Sequence, residues 1–154
     1  FPAVLMDEVD TPSNIAAALG VSVIRSFQPS NGAWQMVCEL ADEAILKACS
    51  PDFSALAKAT DLGVSITAPS SDVDYVSRFF IPQLGINEDP VAGSAHCQLV
   101  PFWAARLSKT TLRARQLSAR GGDLNGTLEG DRVVLSGQCC LFSEGRIFLP
   151  SELV

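Results

Sequence analysis

Asn87-Glu88-Asp89-Pro90-Val91-Ala92-Gly93-Ser94-Ala95-His96 runs without a break into Cys97-Gln98-Leu99-Val100-Pro101-Phe102-Trp103-Ala104-Ala105-Arg106-Leu107. A turn of small and polar residues feeds a long apolar segment. Ala95, Leu99, Phe102, Trp103 and Leu107 recur at three- and four-residue spacing, which predicts a helix over 93–107. Few of its residues are charged, so the helix should be largely enclosed. Pro101 lies inside it, removes one backbone bond and should kink it. Upstream, Pro90 pushes Asp89 towards an extended conformation. Gly93, Ser94 and Ala95 are small enough for a ligand to approach the main chain. The first amides of a helix lack intrahelical partners and carry partial positive charge, so this turn is a seat for a carboxylate or phosphate. Asp89 beside it can take or give a proton. Asp, Gly and Ser before a helix are also what ordinary capping requires. Neither G-x-x-x-x-G-K-[ST] nor G-x-G-x-x-G occurs.

Working outward, the elements alternate. Thr11-Pro12 to Gly20 reads as a short helix with Thr11 as its cap and Gly20 as its stop. Val21 to Phe27 and Trp34 to Leu40 read as strands of a hairpin across the turn Pro29-Ser30-Asn31-Gly32. Ala41 to Lys47 and Pro51 to Lys58 read as two short helices, the second capped by Ser50. Leu62 to Ala68 and Val73 to Phe80 are strands. The second should place Tyr75, Ser77 and Phe79 on one face and Val76, Arg78 and Phe80 on the other. After the apolar helix the pattern is all strand: Leu112–Ala119, Asp123–Leu128, Arg132–Leu135 and Cys139–Leu149. A sheet wrapped around one buried helix is the simplest α+β architecture that encloses such a segment.

The 154 residues are the size of a single domain, 47% hydrophobic and 18% charged. A net charge of −6 without a basic cluster argues against nucleic acid as a partner. No apolar run is long enough for a membrane span, and Phe1-Pro2-Ala3-Val4-Leu5-Met6 lacks the positive region of a secretion signal. The five cysteines show no metal-ligand spacing, and there is one histidine, so no metal site is expected. Free, buried thiols in a reducing cytoplasm are the default. His96, in the first turns of the helix, reads as a packed or hydrogen-bonded side chain.

Asp89-Pro90-Val91-Ala92-Gly93-Ser94-Ala95-His96 resembles the D-P-V-T-G-S-A-H signature of the PhzF family, the phenazine-biosynthesis-like isomerases. Asp74-Tyr75-Val76-Ser77-Arg78-Phe79-Phe80-Ile81-Pro82 is similar to that family's D-x-x-S-R-x-F-x-P strand. Pro101-Phe102-Trp103, Leu107, Gln116 to Gly122 and Val134-Leu135-Ser136-Gly137 follow its pattern. The resemblance implies half of a diaminopimelate-epimerase-like fold, a curved, mostly antiparallel sheet holding a central helix. Phe1-Pro2-Ala3 resembles a tripeptide near mid-chain in the family, so 1–154 is expected to correspond to the second of two halves.

The resemblance further implies cofactor-free proton chemistry on a small carboxylate-bearing substrate, in a cleft between the halves. Asp89 would be the acid/base or orienting carboxylate. Gly93, Ser94 and Ala95 would hold the substrate, with Arg78 near the rim. The family's general base, a glutamate of the first half, has no counterpart in this sequence, so the expected partner is that missing half or a second copy. Ala92 replaces the family's small hydroxyl residue, where related epimerases carry a catalytic thiol; this argues against a two-thiol racemase. The alternative expectation is a carboxylate-binding or protein-interaction module without turnover.

Overall fold

The computed structural model describes residues 1–30, 32 and 35–148. Its architecture is mixed α+β. The chain runs β1 (Met6–Val9), α1 (Ser13–Leu19), β2 (Arg25–Pro29), β3 (Gln35–Glu39), α2 (Glu43–Ala48), α3 (Phe53–Ala59), β4 (Gly63–Pro69) and β5 (Tyr75–Ile81). A 3-10 turn at Pro82–Leu84 leads to β6 (Ile86–Asp89), α4 (Gly93–Leu107), β7 (Thr111–Gln116), β8 (Gly122–Glu129) and β9 (Arg132–Ser136). The nine strands among the described residues belong to one sheet, ordered β1-β2-β3-β4-β5-β7-β8-β9, with β6 branching from β5. β3–β4 and β5–β7 are parallel, and the other neighbours are antiparallel.

The apolar pattern of β5 explains why two layers of helix are needed. Val76 and Phe80 point to one face and Tyr75, Phe79 and Ile81 to the other, as strand alternation requires. β3 divides in the same way, with Met36 and Cys38 opposed to Val37. A strand that is apolar on both sides must be covered on both sides. The short helices α1, α2 and α3 close one face, burying Ile15, Leu19, Leu46 and Leu56. Helix α4 closes the other, burying Leu99, Val100, Phe102 and Trp103 against Tyr75, Leu112, Ala114 and Val133. The expectation of one enclosed helix thus describes half of the core; a second core lies under the three short helices.

Several boundaries differ from the sequence expectation for local reasons. Asp42 and Asp52 cap α2 and α3, their Oδ1 atoms accepting from Ile45 N at 2.8 Å and Ala55 N at 2.9 Å. The second cap replaces the expected Ser50, because a carboxylate reaches the third amide of a helix well and favours its positive end. Pro12 stands at the cap of α1, and Thr11 bonds Ser26 instead. Gly20 does stop α1, in the left-handed region at φ 67°. The expected turn at Asn31 and strand start at Trp34 lie outside the described residues, as does Leu149. Cys139–Phe148 is exposed and forms no strand, because no described neighbour offers it a ladder. Cys139 and Cys140 are accordingly exposed rather than buried, unlike Cys38, Cys49 and Cys97.

Pro101 deprives the Cys97 carbonyl of its helical donor. That carbonyl instead accepts from Val4 N at 2.9 Å. Ala3 N donates to Asp131 O at 2.8 Å and Val133 N to Phe1 O at 2.8 Å, so residues 1–4 tie β9 to the middle of α4. Gly126 of β8 lies under the same helix, and a Cβ there would overlap Val100 Cγ2. Gly126→Ala is expected to cost about 1–3 kcal/mol through overpacking. Thermal unfolding should register it as roughly 2–4 °C per kcal/mol, and Val100→Ala in the same chain should restore most of the loss.

Candidate active site

Helix α4 begins where one edge of β5 changes neighbour. Ser77 pairs with Gln116 of β7, whereas Phe79 pairs with Asp89 of β6. The segment Asp89–Gly93 leaves the sheet between those two strands. Gln116, fully buried, pins it from both sides: its Oε1 accepts from Ala92 N at 3.0 Å and its Nε2 donates to Asp89 O at 2.5 Å. Ser118 Oγ donates to Pro90 O at 2.7 Å. Gly122 allows the close approach, since a Cβ there would sit 2.5 Å from Val91 Cγ2. None of these clamps could be placed from sequence, although Gln116 and Gly122 lie in a segment that follows the family pattern.

The helix tip opens on a cleft of about 900 Å³, walled by Gly93 and His96 of α4, Arg113 of β7, Arg120 of the β7–β8 turn, Asn125 of β8 and Ser136 of β9. Ala92 caps the helix without a side-chain bond. Ala95 N turns back to Ala92 O at 3.1 Å. The amides of Gly93 and Ser94 have no acceptor among the described residues, and both residues are exposed. Ser94 Oγ accepts from Gln35 Nε2 at 2.9 Å, and Gln35 Oε1 accepts from Gln98 Nε2 at 2.7 Å. This relay, buried at its two glutamines, leaves the Ser94 proton available to an outside acceptor. Gln35 and Gln98 were not legible as site residues, because the relay joins β3 to α4 across the fold.

The expected site residues are only partly brought together. Gly93 is in the cleft wall, and Ser94 is exposed next to it. Ala95 is buried, its amide already used. Asp89 is half-buried at the end of β6 and is not part of the wall. Its Oδ1 accepts from Val91 N at 3.0 Å, and no described residue bonds its Oδ2. Arg78 stands elsewhere: Nε and Nη2 grip the Glu88 carboxylate at 2.7 and 3.0 Å, while Nη1 donates to Cys49 O at 2.6 Å and Leu46 O at 3.3 Å. Arg78 is not among the residues that wall the cleft; its side chain points to the face covered by α2. Among the described residues no three His, Cys, Asp or Glu side chains gather to hold a metal.

His96 is fully buried, with Nδ1 2.8 Å from the Tyr75 hydroxyl. Its Nε2 is itself buried and has no well-formed hydrogen bond among the described residues, with Gln116 as its polar neighbour. Burial pushes the imidazole down to about 4, with Gln116 beside it pulling weakly the other way. An unfolded histidine takes a proton near its ordinary value of about 6.5. Between those values the unfolded chain binds a proton that the folded one refuses, so stability falls as pH drops from 6.5 towards 4. The loss should reach on the order of 3 kcal/mol. Urea unfolding at stepped pH should show this slope, and His96→Gln should flatten it.

A family model, that of phenazine biosynthesis-like proteins, matches residues 10–145. The chain belongs to the phenazine biosynthesis-like family. An uncharacterized isomerase of Pseudomonas aeruginosa is 44% identical over 149 residues, covering 97% of this chain and 56% of that one. A phenazine biosynthesis-like domain-containing protein of rat is 30% identical over 161 residues, covering 96% and 56%. The crystal structure of a PhzF-family protein from Enterococcus faecalis superimposes with a TM-score of 0.86 at 42% identity, covering 97% and 56%. This phenazine biosynthesis-like chain therefore spans about half the length of the relatives it matches. No helix among its described residues is long and apolar enough to cross a membrane.

Proposed function

We propose that the chain contributes the helix-tip wall of a cofactor-independent isomerase cleft, which moves a proton within a small carboxylate-bearing substrate. The observation that carries this reading is the pair of amides at Gly93, in the cleft wall, and Ser94, exposed next to it, which have no acceptor among the described residues and lie beside the oriented Ser94 hydroxyl. A substrate carboxylate seated there accepts from the amides and from Ser94. When a proton leaves the adjacent carbon, the charge developing on the carboxylate oxygens meets donors already aligned, and each such donor contributes about 3–4 kcal/mol to the transition state. Asp89, with Oδ2 unoccupied, is the group assigned to carry the proton or orient its carrier. Arg78 is left out of this assignment. Proton removal and return need a second wall. We assign that wall to the part of the relatives that this chain does not cover, or to a second copy, completing a two-halved epimerase-like fold in a cytoplasmic enzyme. The exposure of Leu141, Phe142, Ile147 and Phe148 supports a covering surface of that kind.

Thermal unfolding with a panel of small acids tests the binding step. An acid at about 100 times its dissociation constant should add about 2.7 kcal/mol. Ser94→Ala should reduce that gain. Asp89→Asn keeps the Oδ1 acceptor of the turn, so it should leave binding intact. It should abolish solvent-deuterium uptake into the bound acid by the protein expressed from its whole reading frame. No stabilisation by any acid would remove the proposal.

A further inference from the structure

Where two strands part, their backbone groups lose the ladder that would pair them, and something else must satisfy each one. β6 and β7 part in this way beside β5. Phe79 pairs with Asp89 and Ser77 with Gln116, and the segment from Asp89 to Gly93 leaves between them. Side chains meet its main-chain groups. Gln116 Nε2 donates to Asp89 O, and Gln116 Oε1 accepts from Ala92 N at 3.0 Å. Ser118 Oγ donates to Pro90 O at 2.7 Å while accepting from Gly121 N at 3.0 Å. Asp89 Oδ1 accepts from Val91 N at 3.0 Å, and Pro90 has no amide hydrogen to place.

The Gln116 carboxamide serves this fork as a peptide group would. It carries a donor and an acceptor on one rigid plane. Its partners fix which is which, since Ala92 N can only donate and Asp89 O can only accept. Gln116 is fully buried and Ala92 nearly so, which strengthens both bonds and keeps water from replacing them. His96, 2.8 Å from the Tyr75 hydroxyl, is the polar neighbour of the carboxamide. The two bonds fall on either side of Pro90 and Val91. One holds the residue assigned to carry the proton. The other holds the residue before the first helical amide, that of Gly93. Asp89 and Gly93 therefore cannot move apart without breaking one of the two.

We propose that Gln116 is a positioning residue: its carboxamide sets the separation between the Asp89 carboxylate and the α4 tip. This rests on the roles proposed above for Asp89 and for the carboxylate seat, and it names the group that spaces them. Gln116 acts through main-chain atoms alone. Displacing a reacting group by about 1 Å can cost about a hundredfold in rate, so a buried two-point tie at this place serves more than stability. Gln116→Met fills much the same space with neither donor nor acceptor. Gln116→Asn keeps the carboxamide one methylene short, so it reaches one partner but not both.

Amide spectra of the 154-residue chain, titrated with sodium acetate at fixed pH and ionic strength, test this. In the wild type the Gly93 and Ser94 signals should move saturably with acetate. In Gln116→Met the Val91, Gly93 and Ser94 signals should be displaced before any acetate is added. Acetate should then bind roughly tenfold more weakly, about the worth of one hydrogen bond to a charged group. Gln116→Asn should fall between the two, and it decides the matter by the same readouts if Gln116→Met does not fold. Leu56→Ala is the control for lost stability alone, because Leu56 belongs to the core on the opposite face of the sheet. It should melt lower with acetate affinity unchanged. Wild-type signals and affinity in the folded Gln116 variants would overturn the positioning role and leave the carboxylate seat standing. So would an equal loss of affinity in Leu56→Ala. No acetate binding by the wild type would remove both.

Discussion

Trp103→Ala is expected to destabilise the fold by about 3–5 kcal/mol, the usual range for removing a buried aromatic side chain. Trp103 is 3% exposed in the middle of α4. Its ring stacks on Tyr75 at 5.7 Å with planes 5° apart and meets Phe102 edge-on at 5.5 Å. Its Nε1 donates to Thr67 Oγ1 at 2.9 Å, which binds helix to sheet through a polar contact as well as an apolar one. The cavity would open beside Tyr75, so the effect should reach the site: the Tyr75–His96 bond loses the stack that fixes the phenol. Calorimetric melting measures the stability change. Trp103→Phe separates the two contributions, since it keeps most of the apolar body and loses the Nε1 donor, at a net cost nearer 1–3 kcal/mol. Wild-type melting for Trp103→Ala would refute the account of how α4 is held.

Arg78→Leu is expected to cost about 3–5 kcal/mol, because it removes one partner of a largely buried ion pair. The Arg78 and Glu88 side chains are only 12% and 18% exposed. The change strands more than the Glu88 carboxylate. Cys49 O at the end of α2 also loses its donor and Leu46 O keeps only Cys49 N, and helix-terminal carbonyls without partners are costly when shielded from water. The hydrogen bonds that Arg78 donates to Glu88 raise the guanidinium further above its ordinary value, so the arginine stays charged. Adding Glu88→Leu to Arg78→Leu should recover much of the loss, since an apolar pair needs no desolvation of charge. Arg78→Lys should not rescue, because a lysine cannot serve a carboxylate and two carbonyls at once. Chemical unfolding of the three variants decides this. Unchanged acid binding by Arg78→Leu, once corrected for stability, would agree with its position away from the cleft.

Strong periodicity made the large elements readable. The helix at Gly93–Leu107 has the expected bounds because fifteen residues of apolar spacing leave little choice. The two faces of β5 were readable because alternation there is strict. β1 and β6 were not readable, since each has only four residues, two of them charged and two of them exposed. Their strand character comes from pairing with β2 and β5, which no local pattern encodes. Arg78 illustrates the limit for the site. An arginine on an apolar strand reads equally well as a rim residue or as an internal clamp. Only the positions of Glu88 and the end of α2 distinguish the two. The Gly93–Ser94 tip was readable because it is contiguous in sequence. The Gln98–Gln35–Ser94 relay and the Gln116 clamp exist only once distant strands meet.

The bond from Val4 N to the Cys97 carbonyl has a kinetic meaning. A proline inside a helix normally leaves a flaw in the ladder of that helix. Here the repair comes from the other end of the domain, so α4 cannot reach its final order as a local event. Its completion waits on contacts of long sequence separation, which slow folding and fuse separate parts of a chain into one cooperative unit. Amide exchange at Val4 should therefore proceed only as fast as exchange from the centre of the sheet.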